Sequence, residues 1–191
     1  MVKLTALGVG HGDATLLQVF SPNESEKPAF TCLVDGGESP TKLASALDRH
    51  GVGDLDLLVL SHFDADHIGG LDDIWKHRKV QSYWAPCLAA FERHKWLFGK
   101  RIQSGLDHAR QIEASLRASG TQVTYPLEGF SSSPFKDGQF SLHVLSPAAR
   151  LIRTLLLDRD IEWLFTQTPM PLGWLASPEP AAPIEQPTNE L

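Results

Sequence analysis

The sequence predicts a layered α/β domain in which a mixed β-sheet is flanked by helices. Short apolar runs with strand character alternate with amphipathic segments of helical spacing along most of the chain. The run 57–60 is continuously apolar, which indicates a strand covered on both faces. With 191 residues, of which 42% are hydrophobic, the chain suits one domain with a substantial core.

The first predicted elements are strands at 2–7, 14–20, 29–35 and 55–60, a polar connection at 23–28 and a helix at 40–50. Ser39 can cap this helix, Pro40 suits its first position and Gly51 ends it. The later elements are a helix at 71–78, a strand at 80–85, a helix at 104–119, strands at 121–126 and 139–145 separated by a loop at 129–138, and a helix at 148–165. The apolar face of the helix at 104–119 comprises Leu106, Ala109, Ile112 and Leu116.

A cluster of metal-ligand side chains follows the strand at 55–60. His62, Asp64, Asp66 and His67 occur within six positions, and such a cluster is unfavourable to bury unless a cation compensates it. Two divalent metals about 3.5–4 Å apart can activate water and stabilise negative charge together. We assign His62 and Asp64 to one metal and Asp66 and His67 to the other. Asp66 and His67 are the predicted catalytic residues, with Asp66 also accepting a proton.

The aspartates in this cluster favour oxygen-preferring cations, so the predicted metal is zinc or manganese. Three residues outside the cluster are candidates to orient the ligands: Asp35, Asp13 and His11. For Asp35, a plain turn aspartate before two glycines is an equal alternative. For His11, the simpler interpretation, a loop residue with no catalytic role, is favoured.

Charge and cysteine content limit the function classes. The net charge of −6 argues against a general basic surface for duplex DNA, but bound cations could still recruit a nucleic-acid or phosphodiester substrate. Cys32 and Cys87 form no C-x-x-C motif, so no disulfide framework is expected. No signal-peptide core and no membrane-spanning segment are evident, and we expect a cytoplasmic protein without membrane contacts.

The His/Asp cluster resembles the metal-binding signature H-x-H-x-D-H of the metallo-β-lactamase fold, with Asp64 where the second histidine usually stands. The variant H-x-D-x-D-H followed by Ile-Gly-Gly-Leu is similar to the hydrolase domain of ComEC-type competence proteins and their soluble relatives. The segments 7–14, 33–37 and 144–147 resemble further motifs of that family in the same order. The resemblance implies an αββα sandwich and a metal-dependent phosphodiesterase or nuclease.

The resemblance covers residues 2–147, roughly the first half of such a sandwich. The expected domain occupies 1–175, and the proline-rich segment 176–191 is an expected linker or flexible tail. Ligands from a second half would come from a C-terminal segment or a partner chain. The alternative is that 148–165 and the region 163–174 fold back and complete a minimal domain.

The sequence leaves three functions open. The first is a metal-dependent phosphodiesterase or nuclease, and the second is a hydrolase of small esters, lactams or thioesters. The third is a non-catalytic half-domain that acts through a partner segment.

Overall fold

The computed structural model describes residues 1–21, 27–92, 95, 99–133, 140–149 and 152. Among these residues, the main sheet has six strands in the order β1-β2-β3-β4-β5-β6. The strands are β1 (Val2–Ala6), β2 (Thr15–Val19), β3 (Phe30–Val34), β4 (Leu55–Val59), β5 (Val80–Trp84) and β6 (Gln122–Thr124). The first three strands pair antiparallel, and β3 to β6 pair parallel. The predicted α/β class with a mixed sheet is therefore confirmed.

The helices of the described chain are α1 (Pro40–Arg49), α2 (Ala65–Ile68), α3 (Ile74–His77), α4 (Leu88–Glu92) and α5 (Lys100–Ala118). The start of α1 agrees with the sequence prediction, because Oγ of Ser39 accepts a hydrogen bond from the backbone N–H of Lys42 and Pro40 occupies the first turn. Gly51 follows this helix with a φ of 65°, which suits the absence of a side chain.

One face of the sheet, here called the helix face, carries the larger hydrophobic core. Buried side chains of α1 and α5 pack there against the strands: Leu43, Ala46, Leu47, Leu106, Ala109, Ile112 and Leu116. The predicted apolar face of the long helix is thus confirmed. Burial of one such leucine contributes about 1.5–3 kcal/mol, so this packing fixes the two helices to the sheet.

A set of hydrogen-bonded polar side chains joins α5 to Tyr125. The hydroxyl of Tyr125 donates to Oε1 of Glu113 at 2.5 Å, and Nε of Arg117 donates to the same oxygen at 3.0 Å. Burial and the hydrogen bond to Glu113 both raise the pKa of Tyr125. These bonds tie the C-terminal half of α5 to the chain just after β6.

The opposite side of the sheet, here called the second face, has a smaller core. Its buried members are Val19, Phe30, Cys32, Leu57 and Trp84. A small hairpin of β7 (Ser131–Ser132) and β8 (Leu142–His143) lies beside it, and Phe130 packs edge-on against Trp84 at a ring-centroid distance of 5.2 Å. On β1, however, Val2 and Leu4 are 56% and 70% exposed, so the second face is incompletely covered by the described residues.

Several predicted boundaries were wrong. The helix predicted at 71–78 is replaced by α2, a 3₁₀ turn at Gly69–Leu71 and the short α3, because Asp64 begins a helical turn within the His/Asp cluster itself. The long helix begins at Lys100 and not at 104, and α4 was not predicted. The strand predicted at 139–145 shortens to β8, whose partner β7 lies in the predicted loop at 129–138.

Other predictions lie wholly or largely outside the described residues: the polar connection at 23–28, the helix at 148–165, the region 163–174 and the tail at 176–191. Within the described part of the chain, none of the helices has both the length and the apolar character needed to cross a membrane.

Candidate metal centre

Three loops meet at the end of β4 and are joined by backbone hydrogen bonds. The N–H of Asp13, in the β1–β2 loop, donates to the carbonyl of Asp66 at 3.2 Å. After β3, the N–H of Gly36 donates to the carbonyl of His67 at 2.8 Å, and that of Gly37 donates to the carbonyl of Asp13 at 2.8 Å. The predicted ligand segment is therefore fixed by both neighbouring loops.

Glycine allows this close approach at Gly12. Its φ is +86°, and an added Cβ would lie 1.7 Å from the carbonyl oxygen of Asp66. Gly70 makes a similar contact, because a Cβ there would lie 1.9 Å from the carbonyl oxygen of Gly36. These glycines let the loops pack directly on the backbone that carries the candidate ligands.

Asp35 is the buried anchor of the site. It directly follows β3, has a φ of 59° and is only 5% exposed. Its Oδ1 accepts from the N–H of Ser61 at 2.8 Å, and its Oδ2 accepts from Oγ of Ser61 at 2.5 Å. Oδ2 also lies 3.0 Å from Nδ1 of His67. An ionised carboxylate only accepts hydrogen bonds, so Nδ1 of His67 carries the proton and donates.

The same network extends to His62. Nδ1 of His62 lies 2.8 Å from Oγ of Ser61. Because the Ser61 hydroxyl gives its proton to Asp35, it accepts from Nδ1 of His62. Both imidazoles therefore keep Nε2 as the nitrogen with an available lone pair. The two rings lie close together, with centroids 3.8 Å apart.

The carboxylates of the cluster divide into two environments. Oδ2 of Asp66 lies 3.9 Å from Nε2 of His67, and Oδ2 of the more exposed Asp13 lies at the same distance from that nitrogen. Asp64 precedes α2 and approaches Arg101, whose Nη2 lies 3.4 Å from its Oδ2. The remaining candidate is His11, whose Nδ1 lies 3.6 Å from Oε2 of Glu38 at the exposed rim of the site.

A divalent cation fits this set of donors. Asp35, His62 and His67 each offer a ligand atom within 4.8 Å of the others. Since the oxygens of Asp35 are already engaged by Ser61 and His67, we interpret this residue as the anchor of the histidines. Asp66 supplies a further indication: its Oδ1 is buried, and no described residue gives it a hydrogen bond. A buried carboxylate oxygen without a donor is satisfied when a cation binds beside it.

The structure thus brings His67 together with His62, Asp66, Asp13 and Asp35, whereas His11 pairs with Glu38. The assignment of individual ligands to two metals stays a prediction.

Two further residues of the site were not among the sequence candidates. The only available signal for Ser61 was its position before His62. Nothing in the sequence indicates a role for Arg101, because it lies far from the cluster in sequence and before the predicted start of its helix.

Comparison with known proteins gives a family match over most of the chain. The model of the Metallo-beta-lactamase superfamily matches residues 8–171. No curated protein sequence matches the chain significantly.

Three solved structures illustrate the similarity. The Rm3 metallo-beta-lactamase is 26% identical over 47% of this chain and 31% of its own, with a TM-score of 0.35. A diphosphatase of the PhnP family is 15% identical over 71% of this chain and 55% of its own, with a TM-score of 0.41. A beta-lactamase domain protein from Burkholderia ambifaria is 18% identical over 69% of this chain and 44% of its own, with a TM-score of 0.39.

This chain spans less than a third of the length of the first β-lactamases that it matches. The match over residues 8–171 covers most of the sequence and includes every candidate ligand. The chain therefore belongs to the metallo-beta-lactamase superfamily.

Proposed function

We propose that this chain carries the metal centre of a divalent-metal-dependent hydrolase that acts on phosphodiesters, with nucleic acid as one possible substrate. The observation that carries the proposal is the arrangement of His62 and His67, both oriented through Asp35, beside Oδ1 of Asp66, a buried oxygen that accepts no hydrogen bond from the described residues. The similarity of the H-x-D-x-D-H signature to that of ComEC-type proteins supports the phosphodiester class.

Four residues would hold the metals in this proposal. His62 and Asp64 contribute to one position, and Asp66 and His67 contribute to a second. A divalent cation at such ligands makes water acidic enough to supply hydroxide near neutral pH and offsets negative charge as the substrate reacts. The carboxylates at Asp64 and Asp66 favour hard cations, which supports manganese as well as zinc.

The residues of the chain have distinct tasks. Asp35 keeps the proton of His67 on Nδ1, so that Nε2 is available to the site. The Ser61 hydroxyl donates to Asp35 and accepts from Nδ1 of His62, which keeps the proton of His62 on Nδ1 as well. Asp66 lies beside Nε2 of His67 and can take a proton from water through a carboxylate oxygen. The backbone hydrogen bonds from the two neighbouring loops hold the segment that carries these groups.

We further propose that additional strands, from a C-terminal segment or a partner chain, complete the second face. The exposure of Val2 and Leu4 beside Val19 and Leu17 supports this proposal, because an apolar sheet face of this kind favours association. The added strands would also bring the remaining metal ligands.

The direct test is hydrolysis by the chain loaded with manganese or zinc. A chromogenic phosphodiester, a carboxylic ester and a β-lactam should be compared at equal metal concentration, with a chelator as the blank. We expect metal-dependent turnover of the phosphodiester. Turnover of the ester or the lactam alone would overturn the substrate class. Metal binding without any turnover, also in the presence of the completing segment, would favour a non-catalytic half-domain.

A further inference from the structure

A glycine brings the long helix α5 directly onto the metal-ligand loop. A Cβ added at Gly105 would lie 2.1 Å from the carbonyl oxygen of Phe63. Glycine in the interior of a helix lowers the stability of that helix. At position 105, however, the absence of a side chain allows α5 to approach the loop closely. Residues four apart share one side of a helix, and Arg101 therefore lies on the side of α5 that meets the loop.

The guanidinium of Arg101 contacts both acidic residues of the predicted metal site. Its Nη2 lies 3.4 Å from Oδ2 of Asp64 and 3.7 Å from Oδ1 of Asp66. Both contacts are long and use a single nitrogen, although a guanidinium offers five N–H donors in a planar fork. The side chain is 72% exposed, and ion pairs as exposed as this contribute little to stability.

We propose that Arg101 forms an anion-binding subsite beside the metal centre and binds a non-bridging phosphate oxygen of the substrate. This inference rests on the proposed function, since it assigns that site a recognition element for phosphate. The proposed roles of His62, Asp64, Asp66 and His67 are metal binding and proton transfer, whereas Arg101 comes from a separate helix and carries a positive charge.

The electrostatics favour this role. Without a cation, the guanidinium is attracted by Asp64 and Asp66 and partly offsets their charge. When divalent cations offset those carboxylates, the positive charge of Arg101 is left without a counter-ion at the rim of the site. A phosphate group can then accept two parallel hydrogen bonds from the guanidinium fork, a geometry that arginine provides and lysine does not.

The experiment measures binding of manganese and of inorganic phosphate by calorimetry. The wild-type chain is compared with Arg101→Ala, Arg101→Lys and the control Arg110→Ala. Arg110 lies on the same helix and is ion-paired with Glu92, away from the metal ligands. Thermal unfolding of each variant verifies that the fold is intact.

We expect Arg101→Ala to weaken phosphate binding to the manganese-loaded chain by about tenfold or more, as for loss of a charge-assisted hydrogen bond. Its manganese affinity should stay equal or rise by about two- to fivefold, because a competing cation has left the carboxylates. Arg101→Lys should be intermediate for phosphate, and Arg110→Ala should match the wild type.

The outcomes separate this inference from the proposed function. Equal phosphate affinity in Arg101→Ala and wild type, with phosphodiester turnover intact, would overturn the subsite and leave the hydrolase proposal standing. Phosphate binding that depends on Arg101, without phosphodiester turnover also in the presence of the completing segment, would retain the subsite and overturn the hydrolase proposal. A wild-type chain that binds neither manganese nor phosphate would overturn both.

Discussion

Oδ2 of Asp35 lies 3.0 Å from Nδ1 of His67, although 32 positions of sequence separate the two residues. A buried carboxylate in this position fixes which imidazole nitrogen carries the proton and which is available to a metal. Through Ser61, the same carboxylate also fixes His62. One aspartate at the end of β3 thus orients both histidines of the site.

We expect Asp35→Asn to weaken metal binding by about 10- to 100-fold, because mutation of a residue that hydrogen-bonds to a metal ligand has effects of that size. Asparagine keeps the shape of the aspartate side chain, but its NH2 group only donates. It therefore cannot accept all three hydrogen bonds that Asp35 accepts from Ser61 and His67. Asp54→Asn is the matched control, because Asp54 accepts a backbone hydrogen bond from Lys79 away from the site. Metal titration with a competing chelator provides the measurement. Equal affinities in both variants would contradict the anchoring role.

Asp66→Ala and His67→Ala are expected to abolish hydrolysis by the assembled protein while the fold persists. The reason is loss of metal activation and of the proton acceptor, with little change in core packing. Turnover numbers and circular dichroism spectra should be measured together. His77→Ala, which alters an exposed residue of α3, is the control and should retain activity. Near wild-type turnover of the Asp66 variant would remove the metal-hydrolase interpretation.

Gly12→Ala tests the packing that supports Asp66. The new methyl group would overlap the carbonyl oxygen of Asp66, and the φ of +86° is unfavourable for alanine. We expect the free energy of unfolding to fall by about 1–3 kcal/mol and metal affinity to fall with it. Gly53→Ala has open space and should change stability by less than about 0.5 kcal/mol. Denaturant unfolding with and without metal compares the two. Similar stability losses in both would argue against the tight loop contact.

Alkaline pH should destabilise the fold, because the buried thiol of Cys32 ionises less readily in the folded chain than in the unfolded chain. Burial, together with the nearby charge of Asp56, raises the pKa of Cys32 from its ordinary value of 9.0 to about 12. The unfolded chain therefore ionises first, so the stabilisation is complete below pH 9 and is lost as the pH rises toward 12. Unfolding free energies at pH 8 and 10.5 should show the fall.

Cys32→Ala is the variant for this measurement and should show a shallower pH dependence than the wild type. In addition, the native Cys32 thiol should resist labelling by a thiol reagent at pH 8, because the thiolate is the reactive form. Rapid labelling under native conditions would contradict its burial.

The second face, which the described residues cover incompletely, predicts association of the isolated chain. Leu4 is 70% exposed on the edge strand β1, where unpaired backbone groups also invite pairing. Leu4→Lys should raise solubility and shift the chain toward the monomer in size-exclusion chromatography, whereas Lys3→Gln, on the same strand, should not. A wild-type monomer with slow hydrogen exchange in every strand would show that no completing segment is needed.

Much of this architecture was determined by local sequence. Short apolar runs predicted the strands of the main sheet, and Ser39 with Pro40 predicted the start of α1, because strand propensity and helix caps act within a few residues. The candidate ligands could be found for the same reason, since His62, Asp64, Asp66 and His67 are neighbours in the chain. The H-x-D-x-D-H signature lies in that one segment.

Tertiary structure alone decided how those ligands are held. Asp35 reaches Ser61 and His67 only because β3 and β4 lie side by side and end at the same edge of the sheet. Arg101 reaches Asp64 only because α5 packs on the loop at Gly105. Sequence patterns report the propensity of each segment, whereas contacts between distant segments depend on the distances and shapes that packing sets.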